Sequence, residues 1–483
     1  MHKLLSIVLM SFVAGLVAAC GGGGSTPVPV AKAPTVNISL ATAKVAANTP
    51  LTISWVATDA TSCFGSDALP NVQPVNGTAS VTQTSGGEYT YTITCTGAGG
   101  SATAKAISIV PIPVQKTSHL NAKNLNIPAQ KYPKFPLGPD GMLLDRAGAG
   151  VAYADFFQEG KISMVWFTNR PPDAFSPNPT GVVKFYKFDA AGNPIEYTSS
   201  VLADTKGCAA PRKLLVADFN GDGKPDVFAS CHGPEYPNGL LNPGEAVRVL
   251  LSQPDGTYKN VELPLTCYCH TATAADINGD GTVDILTSDA RVGNSGSNVY
   301  TDITSFVALL NDGKGNFTVQ RNYTKVLPEL LTNGQGVNAR TNTWTMELVD
   351  VNNDGQADLI IGSVFDYGGT WGVPYPSRVI LNHNGVFDEI AFLINVDLFQ
   401  FCALDIVVKD RNIYLYGPIN NEVAYVSLLV YKYNMDTKVG SKIYDSNGTQ
   451  WPNASISNDF VWVMPYNGNI VPYDAAFGIA IPM

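Results

Sequence analysis

The chain has 483 residues, of which 14% are charged, with 45 Gly, 32 Pro and a formal net charge of −10. That balance is turn-rich and compact, and it excludes both a mainly helical chain and an intrinsically disordered one. The acidic sign and the lack of a basic stripe argue against a nucleic-acid partner.

Residues 1–19 read as a signal peptide. Lys3 supplies a positive start, Leu4 to Leu16 an apolar stretch, and Val17-Ala18-Ala19-Cys20 a small-residue cleavage site. The apolar stretch is shorter than the roughly 18 residues needed to span a bilayer, which favours cleavage over an uncleaved anchor. Cys20, at the first mature position, resembles a bacterial lipobox, with Val17 where Leu is usual. The resemblance implies lipidation of Cys20. With no Asp after it, sorting to the outer membrane is implied too, periplasmic or surface-exposed, with the lipid as the only membrane attachment. Residues 20–33 (Gly21-Gly22-Gly23-Gly24, then Pro27-Val28-Pro29) read as a tether, flexible and then stiffer.

Residues 34–112 form a separate domain. Alternating runs at Val36–Leu40, Leu51–Trp55, Tyr89–Thr94 and Thr103–Val110, separated by Gly/Asn/Ser clusters, predict a β-sandwich. Cys63 and Cys95 are expected to form its disulfide, as suits an exported module. The segment from Tyr91 to Gly100 resembles a bacterial Ig-like domain. Trp55 precedes both cysteines, so antibody-type topology is not implied. The expected role is a spacer, with ligand binding as the lesser alternative.

Residues 117–483 carry a repeat. A nine-residue pattern occurs three times, at 218–226, 276–284 and 350–358. Side-chain oxygens fall at positions 1, 3, 5 and 9: Asp218, Asn220, Asp222 and Asp226; Asp276, Asn278, Asp280 and Asp284; Asp350, Asn352, Asp354 and Asp358. Gly at position 6 permits a sharp turn, and the carbonyls of Lys224, Thr282 and Gln356 at position 7 complete an oxygen set for a hard cation. Three structural Ca2+ sites are the expectation; acidic hairpin turns with no ion are the alternative. An EF-hand is excluded, because position 12 is Ala229, Thr287 and Ile361 where a bidentate Glu is needed. Short apolar runs flank each loop (Leu214–Ala217, Val227–Ala229, Ile285–Thr287, Leu359–Ile361), so the loops join buried strands.

A second hairpin signal follows each loop at similar distance, ending at Gly256, Gly315 and Gly385. Two degenerate units share this spacing. Asp155-Phe-Phe-Gln-Glu159-Gly160-Lys-Ile-Ser163 is followed by Gly192, and Lys409-Asp-Arg-Asn412 by Gly440. Both have lost the ligand set and are expected to hold no ion. A partial unit runs from Phe460 to Asp474. Four-stranded units in series predict a β-propeller, all-β and closed radially, with residues 117–150 completing the last blade. The repeat count gives six blades, with seven possible.

These loops, with Val216-Ala-Asp-Phe-Asn-Gly-Asp-Gly223 and Leu309-Leu-Asn-Asp-Gly-Lys-Gly-Asn-Phe317, resemble FG-GAP/VCBS repeats such as those of integrin alpha-subunit propellers. The resemblance covers about three-quarters of the chain. It implies ions on one face and partner binding on the other. The family is mostly seven-bladed and includes adhesins, lectin-like proteins and a few polysaccharide lyases.

Cys208 and Cys231 flank the first loop and its two strands, and a disulfide between them is expected. Cys267 or Cys269 is expected to pair with Cys402, leaving one odd thiol. A soft-metal site at Cys267-Tyr-Cys269-His270 is the alternative, without a second Cys/His pair to support it. Among five histidines there is no His-Glu-x-x-His, and the chain has no Gly-x-Ser-x-Gly and no phosphate loop. Their lack weakens the case for an enzyme and leaves acid/base chemistry by carboxylates, Tyr or His270 open.

Opposite the ion face, the loops joining second and third strands are long. One holds Tyr367, Trp371 and Tyr375, flat aromatics that suit sugars or protein hot spots, or that pack the loop onto its own blade. Arg212, His270 and Trp344 each stand six residues before a leading Asp, near one mouth of the channel. The leading expectation is a lipid-anchored, calcium-stabilised propeller that binds a glycan or an extracellular protein. A lyase-type polysaccharide-degrading enzyme using the same mouth is the alternative, and an envelope-complex scaffold is the third reading.

Overall fold

The computed structural model describes residues 31–70, 72–114, 150–168, 181–233, 244–289, 306–321, 323, 345–362, 377–394, 396, 401, 403–420, 425–445, 463–466, 469–472 and 481–482. The chain divides into two compact units. One comprises Met1–Ala41, Thr52–Val81 and Thr90–Ala106, the other Thr42–Leu51, Thr82–Tyr89 and Ile107–Met483. Among the described residues the one helix is the short Thr198–Val201 turn, and none is long and apolar enough to cross a membrane.

The N-terminal strands form two sheets. One orders Thr35–Leu40, Pro50–Thr58 and Gly77–Thr82, the other Val72–Gln73, Ser62–Asp67, Gly87–Gly97 and Gly100–Val110. Strand Pro50–Thr58 alternates as its sequence does, burying Leu51, Ile53, Trp55 and Ala57 on one face. The Trp55 indole N–H donates to the Pro74 carbonyl at 2.9 Å, so the large ring is buried without an orphaned donor. Cys63 and Cys95 form a disulfide. They face each other on neighbouring strands of one sheet, with Cα atoms 4.1 Å apart, so this bond staples a single sheet.

The second unit holds six further sheets, each made of consecutive strands paired antiparallel with the next. The first comprises Gly150–Ala154, Ser163–Phe167, Val183–Phe188 and Pro194–Glu196; the second Pro211–Ala217, Asp226–Cys231, Glu245–Ser252 and Tyr258–Cys267. The third comprises Cys269–Ala275, Asp284–Asp289, Phe306–Asn311 and Phe317–Gln320; the fourth Met346–Val349, Asp358–Ile361, Ser377–His383 and Val386–Ile394. The fifth comprises Asp405–Lys409, Asn412–Asn420, Tyr425–Asn434 and Val439–Asp445, and the sixth has three described strands, Val463–Tyr466, Asn469–Pro472 and Ile481–Pro482. The first strand of each sheet packs beside the first strand of the next, from the first sheet to the sixth. Four-stranded meanders ordered around a common line of inner strands are the arrangement of a β-propeller.

Burial follows this radial order. The second strands Ser163–Phe167 and Asp226–Cys231, next to the inner ones, are buried at every position, which is why they read as largely apolar runs. The outermost strand Phe317–Gln320 alternates half-buried and exposed. The core lies between successive sheets: Phe228, Val249 and Leu265 of the second with Ile285 and Leu309 of the third, and Leu286 and Ala308 with Leu348 and Leu359. Truncating one fully buried ring here, Phe228→Ala, would cost about 3–5 kcal/mol.

One expectation is corrected. Cys267 pairs with Cys269, their Cα atoms 5.2 Å apart. Cys267 ends the outer strand of the second sheet and Cys269 opens the inner strand of the third, with Tyr268 alone between. That one-residue crossing places the two thiols side by side and closes the bond locally. Cys402 lies outside the described residues, as do Cys20 with the signal and tether residues up to 30, and residues 117–149 of the segment 117–150 expected to complete the last blade. Cys208 and Cys231 are joined, with Cα atoms 5.5 Å apart, at the end of the second sheet away from its Asp loop.

Candidate metal sites

The three acidic loops occupy equivalent places, each joining the inner strand of a sheet to its second strand. Position 9 opens that second strand and pairs in register with the residue before position 1: Ala217 with Asp226, Ala275 with Asp284, Val349 with Asp358. The loop backbone folds around the position-1 carboxylate. Asp218 accepts N–H bonds from Gly221, Asp222 and Gly223 at 2.7, 3.1 and 2.8 Å. Asp276 repeats this with Gly279, Asp280 and Gly281, and Asp350 accepts from Asp354 and Gly355. The position-6 glycines, Gly223, Gly281 and Gly355, sit at φ of 80°, 87° and 89°, which a side chain would strain.

Side chains further round the loop are held in the same way. The Asn220, Asn278 and Asn352 carbonyls accept from the position-5 amide, and Asp222, Asp280 and Asp354 accept from the position-7 amide at 2.8–2.9 Å. Backbone amides therefore fix all the expected side-chain ligands, and the position-1 carboxylates Asp218 and Asp276 each accept two amides on Oδ1 and one on Oδ2, which keeps a further lone pair.

Position 9 is the buried corner of each site. Asp226 accepts from Phe219 N–H at 2.8 Å on one oxygen and from Ser252 N–H at 2.7 Å on the other. Asp284 takes Ile277 and Asn311, and Asp358 takes Val351 and Asn382, in the same way. All three are fully buried. Burial, reinforced by the neighbouring loop aspartates, pushes Asp226 up to about 7 and Asp284 and Asp358 up to about 6. A cation there would be bound in competition with protons.

The donor set fits calcium, by its chemistry and by its charge. Each loop gathers two carboxylates, a carboxamide oxygen and a buried carboxylate, all hard oxygen donors. Among the described residues, no Lys, Arg or His is ion-paired to the six aspartates of the second and third loops. Among the described residues, only the first loop has a carboxylate paired with a side-chain cation: Lys224 Nζ lies 3.6 Å from Asp222 and donates to the Gln253 carbonyl at 2.8 Å.

The degenerate loops are compensated differently. Asp155 is buried and accepts from Glu159 and Gly160 N–H at 2.8 Å, as in the acidic loops. At position 9, Ser163 Oγ accepts from Phe156 N–H at 3.0 Å and donates to the Ala154 carbonyl. Position 5 is Glu159, and Lys187 Nζ meets it at 2.6 Å while lying 4.4 Å from the ring centroid of Phe157, at position 3. The fifth sheet has a two-residue hairpin at Asp410-Arg411, both with positive φ, as a type I′ turn requires. The Arg411 guanidinium meets Asp436 at 2.9 Å and donates to the Val351 carbonyl in the adjacent acidic loop.

Of the expected ligand-face residues, Arg212 is described and buried, at a register shift in the inner strand of the second sheet. His270 falls at the matching shift in the third sheet. Trp344, Tyr367, Trp371 and Tyr375 lie outside the described residues. Sequence reasoning missed a cluster on the inner strands: Lys213 Nζ donates to Glu347 and lies 3.4 Å from Asp405, and Glu347 accepts from Thr273 Oγ1 at 3.2 Å. Four sheets contribute to it. Burial alone would lower the Lys213 pKa, but the two carboxylates outweigh it and hold the ammonium above its ordinary value. Also missed was a side chain that straps each loop to the next sheet: Tyr258, Asn311, Asn382 or Arg411.

Residues 218–287 match the family model described as an FG-GAP-like repeat, spanning the first acidic loop, its hairpin and the second loop. That match and the radial order of the sheets support an FG-GAP repeat β-propeller. No curated protein matches the chain significantly. Similar solved structures include a quinonprotein alcohol dehydrogenase-like protein from Bacteroides thetaiotaomicron, 10% identical over 84% of this chain and 91% of that one, TM-score 0.26. A GH43 β-1,3-galactosidase with galactodeoxynojirimycin is 12% identical over 64% of this chain and 96% of that one, TM-score 0.34.

Proposed function

We propose that this chain is an extracytoplasmic, lipid-anchored β-propeller that calcium stabilises at three loops, and that it binds a glycan or a protein partner. The observation that carries the calcium reading is the pair of acidic loops whose carboxylates are held by backbone amides and, among the described residues, are paired with no side-chain cation. The side chains of Asp218, Asn220, Asp222 and Asp226, with the Lys224 carbonyl, would hold one ion. Asp276, Asn278, Asp280, Asp284 and the Thr282 carbonyl would hold the second, and Asp350, Asn352, Asp354, Asp358 and the Gln356 carbonyl the third. Bound calcium supplies charge neutralisation and a cross-link between the two ends of each loop. The disulfides fit an oxidising compartment, and Cys20 is the expected lipid attachment point.

Binding is assigned to the face away from the acidic loops, through the aromatic run that holds Tyr367, Trp371 and Tyr375, with Arg212, His270 and Trp344 at the channel mouth. A lyase is the second reading, and the Lys213–Glu347–Asp405 cluster is the observation nearest to it. That cluster supplies a poor base, because its lysine is held protonated by two carboxylates. A glycan array on the calcium-loaded protein tests the binding reading. Trp371→Ala should weaken a ligand found there roughly 30-fold, since truncating an aromatic anchor commonly costs about 2 kcal/mol or more. Affinity indifferent to Trp371, Trp344 and Arg212 alike would reject the assigned face. Release of unsaturated oligosaccharides, seen by ultraviolet absorbance, would favour the lyase.

A further inference from the structure

The residue at position 2 of each loop has its side chain in the core and its carbonyl strapped to the next sheet. Phe156 O accepts from Tyr258 Oη–H at 3.0 Å, Phe219 O from Asn311 Nδ2–H at 2.8 Å, and Ile277 O from Asn382 Nδ2–H at 3.2 Å. Val351 O accepts from Arg411. The donor always comes from the following sheet, four times in succession. In three of the four cases the same group also reaches the carbonyl at position 8 of its own sheet's loop: Asn311 with Val283 at 3.0 Å and Asn382 with Ala357 at 3.1 Å, each amide having two hydrogens to give, and Tyr258 with Pro225 at 3.0 Å, its one hydroxyl hydrogen shared between the two carbonyls. The two asparagines add a third tie, since their backbone N–H groups donate to the position-9 carboxylates Asp284 and Asp358. All three of these residues are buried, so the carbonyls they satisfy have no water to turn to.

We infer that each calcium site is built jointly by two sheets, with Tyr258, Asn311, Asn382 and Arg411 as its positioning residues. The inference rests on the calcium reading above. None of the four groups is a ligand. Asn311 and Asn382 each fix the position-2 peptide of one acidic loop and the position-8 peptide of the next, Tyr258 fixes position 8 of the first acidic loop, and Arg411 fixes position 2 of the third. Asn311 and Asn382 each stand between two acidic loops, Tyr258 touches only the first, and Arg411 only the third. A specific pattern follows. Asn311→Ala should weaken the sites at 218–226 and 276–284 and spare 350–358. Asn382→Ala should weaken 276–284 and 350–358. Tyr258→Phe should weaken 218–226 alone, and Arg411→Ala 350–358 alone. Loss of such hydrogen bonds should raise the calcium dissociation constant about 3- to 10-fold per site.

The test is calcium titration calorimetry on full-length protein in which two of the three loops are disabled by Asp→Ala at position 5, so that one site reports at a time. With only 218–226 intact, Asn311→Ala and Tyr258→Phe should each weaken binding, while Asn382→Ala should leave it unchanged. With only 350–358 intact, Asn382→Ala and Arg411→Ala should weaken binding and Asn311→Ala should not. Tyr258→Phe deletes one oxygen and keeps the ring packing, so it serves even if an asparagine variant fails to fold. Equal weakening of all sites, or none, overturns the inference while leaving the calcium reading in place. A wild-type protein that binds no calcium would defeat the calcium reading itself, and this inference with it.

Discussion

On the proposed calcium reading, the acidic loops and the degenerate ones solve the same electrostatic problem with different cations. In the loops at 276–284 and 350–358, closely spaced carboxylates have no side-chain cation paired with them among the described residues. In the loop at 155–163 the ligand set has shrunk to Asp155 and Glu159, and the Lys187 ammonium sits on Glu159 and over Phe157. In the fifth sheet the loop is gone, and Arg411 reaches from its hairpin into the neighbouring acidic loop. The loop at 218–226 is intermediate, keeping its full acidic set with Lys224 nearby. Compensation by a lysine or arginine is permanent. Compensation by a metal ion depends on its concentration. The comparison therefore predicts which parts of the propeller respond to calcium.

The largest effect should come from calcium removal. Exposed extracellular loops commonly bind calcium at about 10⁻⁴ to 10⁻³ M. At tenfold excess over the dissociation constant each site adds about 1.4 kcal/mol, so three add about 4 kcal/mol. Melting in chelator should fall well below melting in millimolar calcium, and equal midpoints would break the comparison at its root. Next, Asp280→Ala should remove one ion, leave two, and lower the calcium-dependent part of stability by about 1.4 kcal/mol.

A half-buried carboxylate has a third recourse, which is to keep its proton. Glu245 makes no ion pair among the described residues. It accepts the Ala209 N–H at 2.7 Å, and burial pushes it up to about 7. Its folded value lies above its unfolded one, so its stabilising contribution is complete below about pH 4.5 and is lost as pH rises through about 7. Glu245→Gln should flatten the pH dependence of the melting midpoint in that window, by an amount on the order of 1 kcal/mol. A profile identical to wild type would show that Glu245 ionises normally. The smallest effect is expected from Lys187→Met. The Lys187–Glu159 pair is partly exposed, and with its contact to Phe157 it is worth about 1 kcal/mol or less. That loss should be the same with calcium and with chelator. A calcium-dependent loss would mean that the degenerate loop also takes an ion.

What could be read in advance divides by sequence distance. The loops were legible because nine contiguous residues carry every ligand, and the strands because apolar runs and hairpin glycines mark their ends. The straps were not. Asn311 meets Phe219 across 92 residues and Asn382 meets Ile277 across 105, and each stands in a hairpin that reads as an ordinary turn. A recurring Asn just before the hairpin glycine was the available signal, and Tyr258 hides it in the second sheet by doing the same job with a different group. The Lys213 cluster joins residues 134 and 192 positions apart and has no local signature. The Cys267–Cys269 bond was assigned elsewhere because the one-residue crossing between two sheets is a fact of packing.

Calcium stoichiometry tests the central claim most directly. Titration calorimetry on the chelator-stripped protein, beside a variant carrying Asp222→Ala, Asp280→Ala and Asp354→Ala, counts ions at the acidic loops alone. The account predicts three calcium ions per wild-type chain and none in the triple variant, with circular dichroism showing that the variant keeps its sheets. No calcium bound to the wild type, or undiminished binding in the triple variant, would contradict it.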